Sequence, residues 1–258
     1  MEKNTRVGII GYGFVGKATE YFLHWCKPET DISIHDPAKN YVIEDWNNID
    51  YVFICVPTDL DQLSSKLDVS IIDSVIKDLK DKSYNGAIII RSTIGPEQAM
   101  RFVNESGVII MPEFLRENYW KEDVVDPMIP VLIGCYNCDD FVEWIGKGLG
   151  KELINCTPLE ASAIKIYRNA ALAVNVGLAN DVKEICDMMD IDYRVIYQFF
   201  TKDKTLGNHW QVPGPDGKPG FGGTCLPKDL THASSLCYNE NNIMKTALEA
   251  NKTRRDNE

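Results

Sequence analysis

The sequence predicts an α/β fold: a doubly wound parallel sheet followed by an all-α domain with one long helix. Up to residue 156, short apolar runs alternate with helix-like segments, the pattern of a parallel sheet covered by helices on both faces. From about residue 157 strand candidates cease and long helical periodicity takes over. A glycine-rich turn between the first apolar run and the first helix-like segment is the third observation, because that junction is where such sheets place a ligand.

Residues 6–10 are a β-prone apolar run, 11–16 read Gly-Tyr-Gly-Phe-Val-Gly, and 17–25 suit a helix, so the chain opens strand, tight turn, helix. A second strand at 31–36 ends in Asp36 and is closed by Pro37. Further strands are predicted at 51–56, 87–90 and 108–111, with helices at 69–80 and 97–105. Thr157-Pro158-Leu159-Glu160 is a capping box: Thr caps free amides, Pro suits the first turn, and Glu reaches back to the cap. This divides the chain into a Rossmann-like dinucleotide-binding domain, 1–156, and a helical central domain, 157–258. An Ala-rich helix over 158–189 would be about 45 Å long. Its dense small and apolar content predicts a homodimer contact as well as internal packing. Residues 207–223 are a Gly- and Pro-rich loop, a further helix runs to about 236, and 244–258 is helical with a charged end.

With 27 basic and 38 acidic side chains in 258 residues, the net charge is −11. That argues against nucleic acid or an anionic membrane as partner, since both need clustered Lys and Arg. At 44% apolar and 25% charged the composition is ordinary for a globular chain. No apolar run approaches a membrane span, and the N-terminal apolar residues run into the Gly11 turn without a leader-like pattern, so a cytoplasmic protein is expected. Its eight cysteines should then be reduced thiols. Only Cys135 and Cys138 form a C-x-x-C, read as a strand-end turn with zinc or redox use as the alternative; no metal site is expected.

The glycines at 11, 13 and 16 let the backbone turn and approach a pyrophosphate held by the amide end of the following helix. Asp36, 20 residues after Gly16, is placed for the adenosine ribose hydroxyls and against a 2′-phosphate, which favours NAD over NADP. Cys225 lies between a glycine turn and a helix predicted to start at Pro227, where the helix end and Lys228 favour thiolate. Asp229 opposes it and so suits a proton acceptor; the plainer alternative is a small buried thiol. Lys165 and Asn169, four apart, share a helix face as two donors able to stabilise a developing oxyanion, or else are a snorkelling lysine and an inter-helix amide.

Together these segments resemble the nucleotide-sugar dehydrogenases of the UDP-glucose/GDP-mannose dehydrogenase family. The motifs are GYGFVG at 11–16, VPT at 56–58, ST at 92–93, PEFLRE at 112–117, KIYRN at 165–169 and GFGGTCLPKD at 220–229. The resemblance implies NAD-dependent oxidation of a sugar's primary alcohol to a carboxylate by two hydride transfers, UDP-glucose being the first choice of substrate. Cys225 would be the nucleophile, passing through a thiohemiacetal and a thioester. Lys165 and Asn169 would stabilise oxyanions, Asp229 and Glu117 would manage protons and the hydrolytic water, and Thr93 would orient water. NAD would be held by Gly11, Gly13, Phe14, Val15, Gly16, Asp36, Val56, Pro57, Thr58 and Thr93. Glu113, Phe114, Leu115 and Arg116, with Lys165, Asn169, Phe221, Gly222 and Gly223, would border the sugar. Family members normally continue into a second nucleotide-binding domain, whereas this sequence stops where the connecting helix is expected. VPTD at 56–59 and GPDGKP at 214–219 mark a divergent member. Two other readings stand beside it: a silent NAD-binding module or half-enzyme that needs a partner chain, and a two-electron hydroxyacid dehydrogenase, which would not need the cysteine loop.

Overall fold

Residue order alone places the strands at short runs of branched apolar side chains, and the computed structural model of the chain follows them. It describes residues 4–61, 63–203, 206, 209–237, 239 and 242–256. Two units are present, Met1–Asp59 with Leu67–Lys165, and Leu60–Lys66 with Ile166–Glu258.

In the first unit the chain runs β1 (Arg6–Ile10), α1 (Phe14–Cys26), β2 (Asp31–His35) and β3 (Tyr51–Ile54). Past a short ribbon of β4 (Leu60–Asp61) and β5 (Lys66–Leu67), of which residues 60–66 count with the second unit, come α2 (Ser70–Asp81), β6 (Ala87–Ile90), α3 (Pro96–Ser106) and β7 (Ile109–Ile110). Then follow α4 (Trp120–Val125), β8 (Val131–Gly134), α5 (Asp139–Gly146), β9 (Leu153–Cys156) and the start of α6 (Pro158–Met188). The main sheet has the order β2-β1-β3-β6-β7-β8-β9. Consecutive residues of each central strand face opposite layers. Ile9, Phe53 and Ile89, in register, pack with Phe22 and Leu23 of α1 and Phe141 of α5, while Ile10, Ile54 and Ile90 pack with Ile72 and Ile76 of α2 and Phe102 of α3. Apolar on both sides, these strands are buried, which is why the sequence shows runs rather than alternation.

The structure departs from the wholly parallel expectation. β7 and β8 pair antiparallel, through Ile110 and Gly134, and β8 and β9 are parallel to each other, so the last two strands reverse the direction of the first five. The run at 108–111 contributes only two strand residues. The chain also changes direction across the sheet between β1 and β3, with β2 on one side and β6 on the other. At such a switch point the loops leaving the two strands part and open a crevice beyond their carboxyl ends.

The predicted capping box opens α6: the Thr157 amide donates to Glu160 Oε2 at 2.8 Å, and the Glu160 amide to Thr157 Oγ1 at 3.3 Å. The expectation of eight free thiols is corrected at one place. Cys135 and Cys138 are bridged, their Cα atoms 6.1 Å apart, because the short turn from β8 to α5 folds the second cysteine back over the first.

The second unit holds the rest of α6, α7 (Tyr193–Phe200), α8 (Cys225–Ser235) and α9 (Ile243–Asp256). Arg254 of α9 donates to Glu184 at 2.8 Å and also to Asp181, tying its last turns to α6. Among the described residues no helix is long and apolar enough to cross a membrane.

Candidate active site

The crevice at the switch point is built by glycines. Gly11 has φ +85°, and a Cβ there would sit 2.7 Å from the Cys55 carbonyl oxygen. At Gly16 a Cβ would lie 2.1 Å from the Gly11 carbonyl oxygen, so the turn closes against its own helix only without side chains. Gly13 has nothing within 4 Å of its would-be Cβ and caps α1 without a side-chain bond. The first-turn amides of α1, from Phe14 and Val15 onward, therefore face an open approach of the kind a pyrophosphate fills.

Asp36 stands just past β2, half-buried, with Oδ2 accepting the Tyr12 amide at 2.9 Å and lying 3.5 Å from Lys39 Nζ. Lys39 also donates to the Tyr12 carbonyl at 2.6 Å, so the acid is tied to the tip of the glycine turn. Beyond β3, Thr58 Oγ1 donates to the Thr93 carbonyl at 2.7 Å and Ser92 Oγ to the Val56 carbonyl at 2.7 Å. These bonds stitch the 56–58 and 92–93 segments together, with Pro57 exposed and Thr93 half-buried at the rim. Open helix end, terminal acid and switch point fit a dinucleotide.

The 111–117 segment carries the strongest buried electrostatics of this unit. Glu113 Oε1 and Lys165 Nζ pair at 2.8 Å with side chains only 5% and 4% exposed, and Glu113 Oε2 accepts the Leu115 amide at 2.7 Å. Burial pushes the Glu113 carboxyl up, but the charge and hydrogen bond of Lys165, the Leu115 amide and Arg91 outweigh it and hold the group below the ordinary carboxylate value. Lys165 Nζ also lies 5.9 Å from the ring centre of the buried Phe114. Arg91, absent from the sequence reading, is fully buried and donates to the Met111 carbonyl at 3.2 Å, the Pro112 carbonyl at 3.5 Å and Thr19 Oγ1 at 3.3 Å. It fixes the backbone that presents Glu113. Arg116 is turned to the buried Asp123 at 2.5 Å, and Glu117 is exposed at the start of a single 3-10 turn.

In the second unit Asn169 Nδ2 donates to Asp229 Oδ2 at 2.6 Å, both side chains buried, and Lys228 Nζ lies 3.8 Å from Asp229 Oδ1. Helix α8 begins at Cys225 rather than Pro227, which places the exposed thiol itself in the first helical position with Pro227 inside the first turn. Proline is tolerated there because a first-turn amide has no intrahelical partner. Burial drives the thiols of Cys26, Cys55 and Cys156 up to about 11, so they stay protonated at neutral pH. The preceding glycine loop is clamped by two asparagines the sequence reading missed. Asn180 Oδ1 accepts the Gly220 amide at 2.8 Å, and Asn251 bonds both the amide and the carbonyl of the buried Phe221, at 2.7 and 3.0 Å. Arg255 donates to Asp216 at 2.7 Å across the same loop, where a Cβ on Gly222 would be 2.6 Å from its guanidinium; Gly223 is exposed. The available signal was an Asn on the otherwise small and apolar face of α6.

Comparison with known proteins gives the following. Residues 159–253 match the UDP-glucose/GDP-mannose dehydrogenase family, central domain. A UDP-glucose 6-dehydrogenase of Campylobacter jejuni is 29% identical over 227 residues, covering 84% of this chain and 56% of the relative. The chain spans about half the length of the curated relatives it matches. Among solved structures, a UDP-glucose dehydrogenase from Pyrobaculum islandicum aligns with TM-score 0.80 at 20% identity, over 97% of this chain and 68% of that one. A 3-hydroxyisobutyrate dehydrogenase of Mycobacterium tuberculosis aligns with TM-score 0.70 at 16% identity, over 98% and 95%. At these identities the structural likeness establishes the fold.

Proposed function

We propose that this chain, whose residues 159–253 match the central domain of the UDP-glucose/GDP-mannose dehydrogenase family, oxidises the primary alcohol of a UDP-sugar, UDP-glucose by first choice, to the carboxylate. The observation that carries this reading is the exposed Cys225 in the first turn of α8, on the same helix as an Asp229 whose carboxylate is oriented by Asn169. A two-electron alcohol oxidation has no use for that thiol.

The glycine turn and Asp36 would hold NAD, which would supply a hydride acceptor at each of the two oxidations, one NAD for each hydride, so that four electrons would leave each sugar. The chain's own groups do the remainder. Cys225 gives up its proton, its sulfur adds to the aldehyde carbon, and the carbonyl oxygen becomes an oxyanion to which Lys165 and Asn169 donate. Glu113 neutralises Lys165 and fixes its position through the 2.8 Å bond. At the thioester stage water adds to the acyl carbon, the carbon–sulfur bond breaks, and the sulfur leaves as thiolate and regains a proton. Asp229 and Glu117 carry those protons, and Thr93 orients the water. Phe221, Gly222 and Gly223 with residues 113–116 border the sugar. We propose further that α6 seats a second copy of the chain, its exposed Ile164, Tyr167, Leu178 and Ile185 supplying apolar area, and that the enzyme works in the cytoplasm.

The test is NADH formation with NAD and UDP-glucose, then with UDP-N-acetylhexosamines and GDP-mannose, beside Cys225→Ser. The expected result is two NADH per sugar in the parent and no more than one in the variant. Two NADH from Cys225→Ser would overturn the thioester route. Binding of NAD without turnover of any sugar would transfer support to the half-enzyme reading.

A further inference from the structure

Cys135 and Cys138 take no part in that chemistry. They bracket the turn between β8 and α5, with Tyr136 and Asn137 exposed between them and both sulfurs within bonding reach of one another. Two backbone bonds fix this turn without the bridge: the Cys135 amide donates to the Cys156 carbonyl at 3.1 Å and the Val142 amide to the Cys138 carbonyl at 2.9 Å. The Cα separation of 6.1 Å lies within the range that a disulfide spans. A turn held by its own backbone keeps the two thiols facing when the bond is open, so closing it requires little reorganisation.

A bridge over two intervening residues is a poor staple, because closing so short a loop removes little freedom from the unfolded chain. It suits exchange better. Cys138 is the residue from which α5 starts, and the exposed Tyr136 and Asn137 beside it leave the bond open to a small disulfide or thiol. The fully buried Cys55, in contrast, has a thiol pushed up to about 11 and no route to a bulky disulfide.

We propose that Cys135 and Cys138 form a reversible dithiol–disulfide couple that exchanges with low-molecular-weight disulfides and thiols of the glutathione class. In the oxidising direction the Cys138 thiolate attacks one sulfur of the small disulfide, forming a mixed disulfide and releasing one thiolate. Cys135, deprotonated, then attacks Cys138 Sγ, forming the internal bond and releasing the second thiolate. Two protein thiols are oxidised and one small disulfide is reduced to two thiols, so electrons and protons balance. This inference does not depend on the proposed sugar chemistry.

The test uses the whole chain equilibrated natively across ratios of reduced to oxidised glutathione, quenched with iodoacetamide and mapped by peptide mass. The expected result is a peptide with residues 135–138 that is doubly alkylated at the reducing end and unalkylated, lighter by two hydrogens, at the oxidising end. Cys135→Ser should trap glutathione on Cys138, whereas the parent should accumulate none there. Double alkylation at every ratio, glutathione retained separately on both cysteines of the parent, or a bond that excess thiol never opens in the native chain would each overturn the proposal. The parent titration decides the matter even where a variant fails to fold.

Discussion

Replacing Lys165 by Met removes a charge while nearly preserving the volume of the chain, so its consequence is set by what Glu113 then experiences. Both side chains are about 95% buried, and the lysine contributes the largest of the interactions that keep the carboxylate ionised against its burial. Removing one partner of a buried ion pair costs about 3–5 kcal/mol, because the remaining charge has neither water nor a counter-ion. For a chain of this size that corresponds to a fall in Tm of about 6–20 °C. The loss carries a pH signature. In the parent, Glu113 is held below its ordinary value, so the folded form binds fewer protons than the unfolded form and stability drops as pH falls through the folded value. In Lys165→Met burial dominates, the folded value rises above the unfolded one, and stability instead falls as pH increases through it. The gap between the two proteins therefore narrows as pH falls, first through the raised value in the variant and then, below the usual carboxylate value of about 4.3, through the lowered value in the parent. Adding Glu113→Gln to the variant, which keeps an oxygen for the Leu115 amide, recovers most of the loss. Urea unfolding across pH 4 to 8, roughly the span over which the carboxylate changes state, measures all of this. A deficit under about 1 kcal/mol, the size of a surface pair, or one independent of pH, would refute a buried and coupled Lys165–Glu113 pair.

Other substitutions separate folding from binding. Gly13→Ala should fold with parental stability, since nothing lies within 4 Å of the new methyl, yet lose NAD affinity by tenfold or more, on the order of 1.4 kcal/mol, in a fluorescence titration; Gly16→Ala should lose both, because its methyl would lie 2.1 Å from the Gly11 carbonyl. In maleimide labelling of the native chain at neutral pH, Cys225 and Cys237 should react first while Cys26, Cys55 and Cys156 lag until the chain is unfolded, as read by peptide mass. Asn251→Ala should destabilise the second unit by about 2–4 kcal/mol, because the Phe221 amide and carbonyl are both left buried without their partner; chemical unfolding followed by Trp210 fluorescence reads the change.

Much of this site is legible along the chain because its rules act over a few residues. A side chain at Gly16 would clash with the Gly11 carbonyl five residues back in the same turn, and Thr157 and Glu160 satisfy each other within one helical turn. Asp36 follows from the length of one helix and one strand. The helix expected to start at Pro227 starts two residues earlier, at Cys225, since proline in a first turn marks a start without specifying which position it fills.

What the sequence determined by itself, then, was the alternation of strand and helix that makes the sheet, the tight glycine turn and the capped long helix. The tertiary structure alone decided that β8 and β9 run opposite to the other strands, since apolar periodicity is the same in either direction. It alone paired Lys165 with Glu113, 52 residues away, in a buried ion pair whose backbone Arg91 steadies at Met111. It alone gave Asn169 to Asp229 and the glycine loop to Asn180 and Asn251. Local spacing encodes turns, caps and periods, whereas the partner of a buried polar group is chosen by whichever distant segment the fold brings within hydrogen-bonding distance, and no short stretch of chain carries that information.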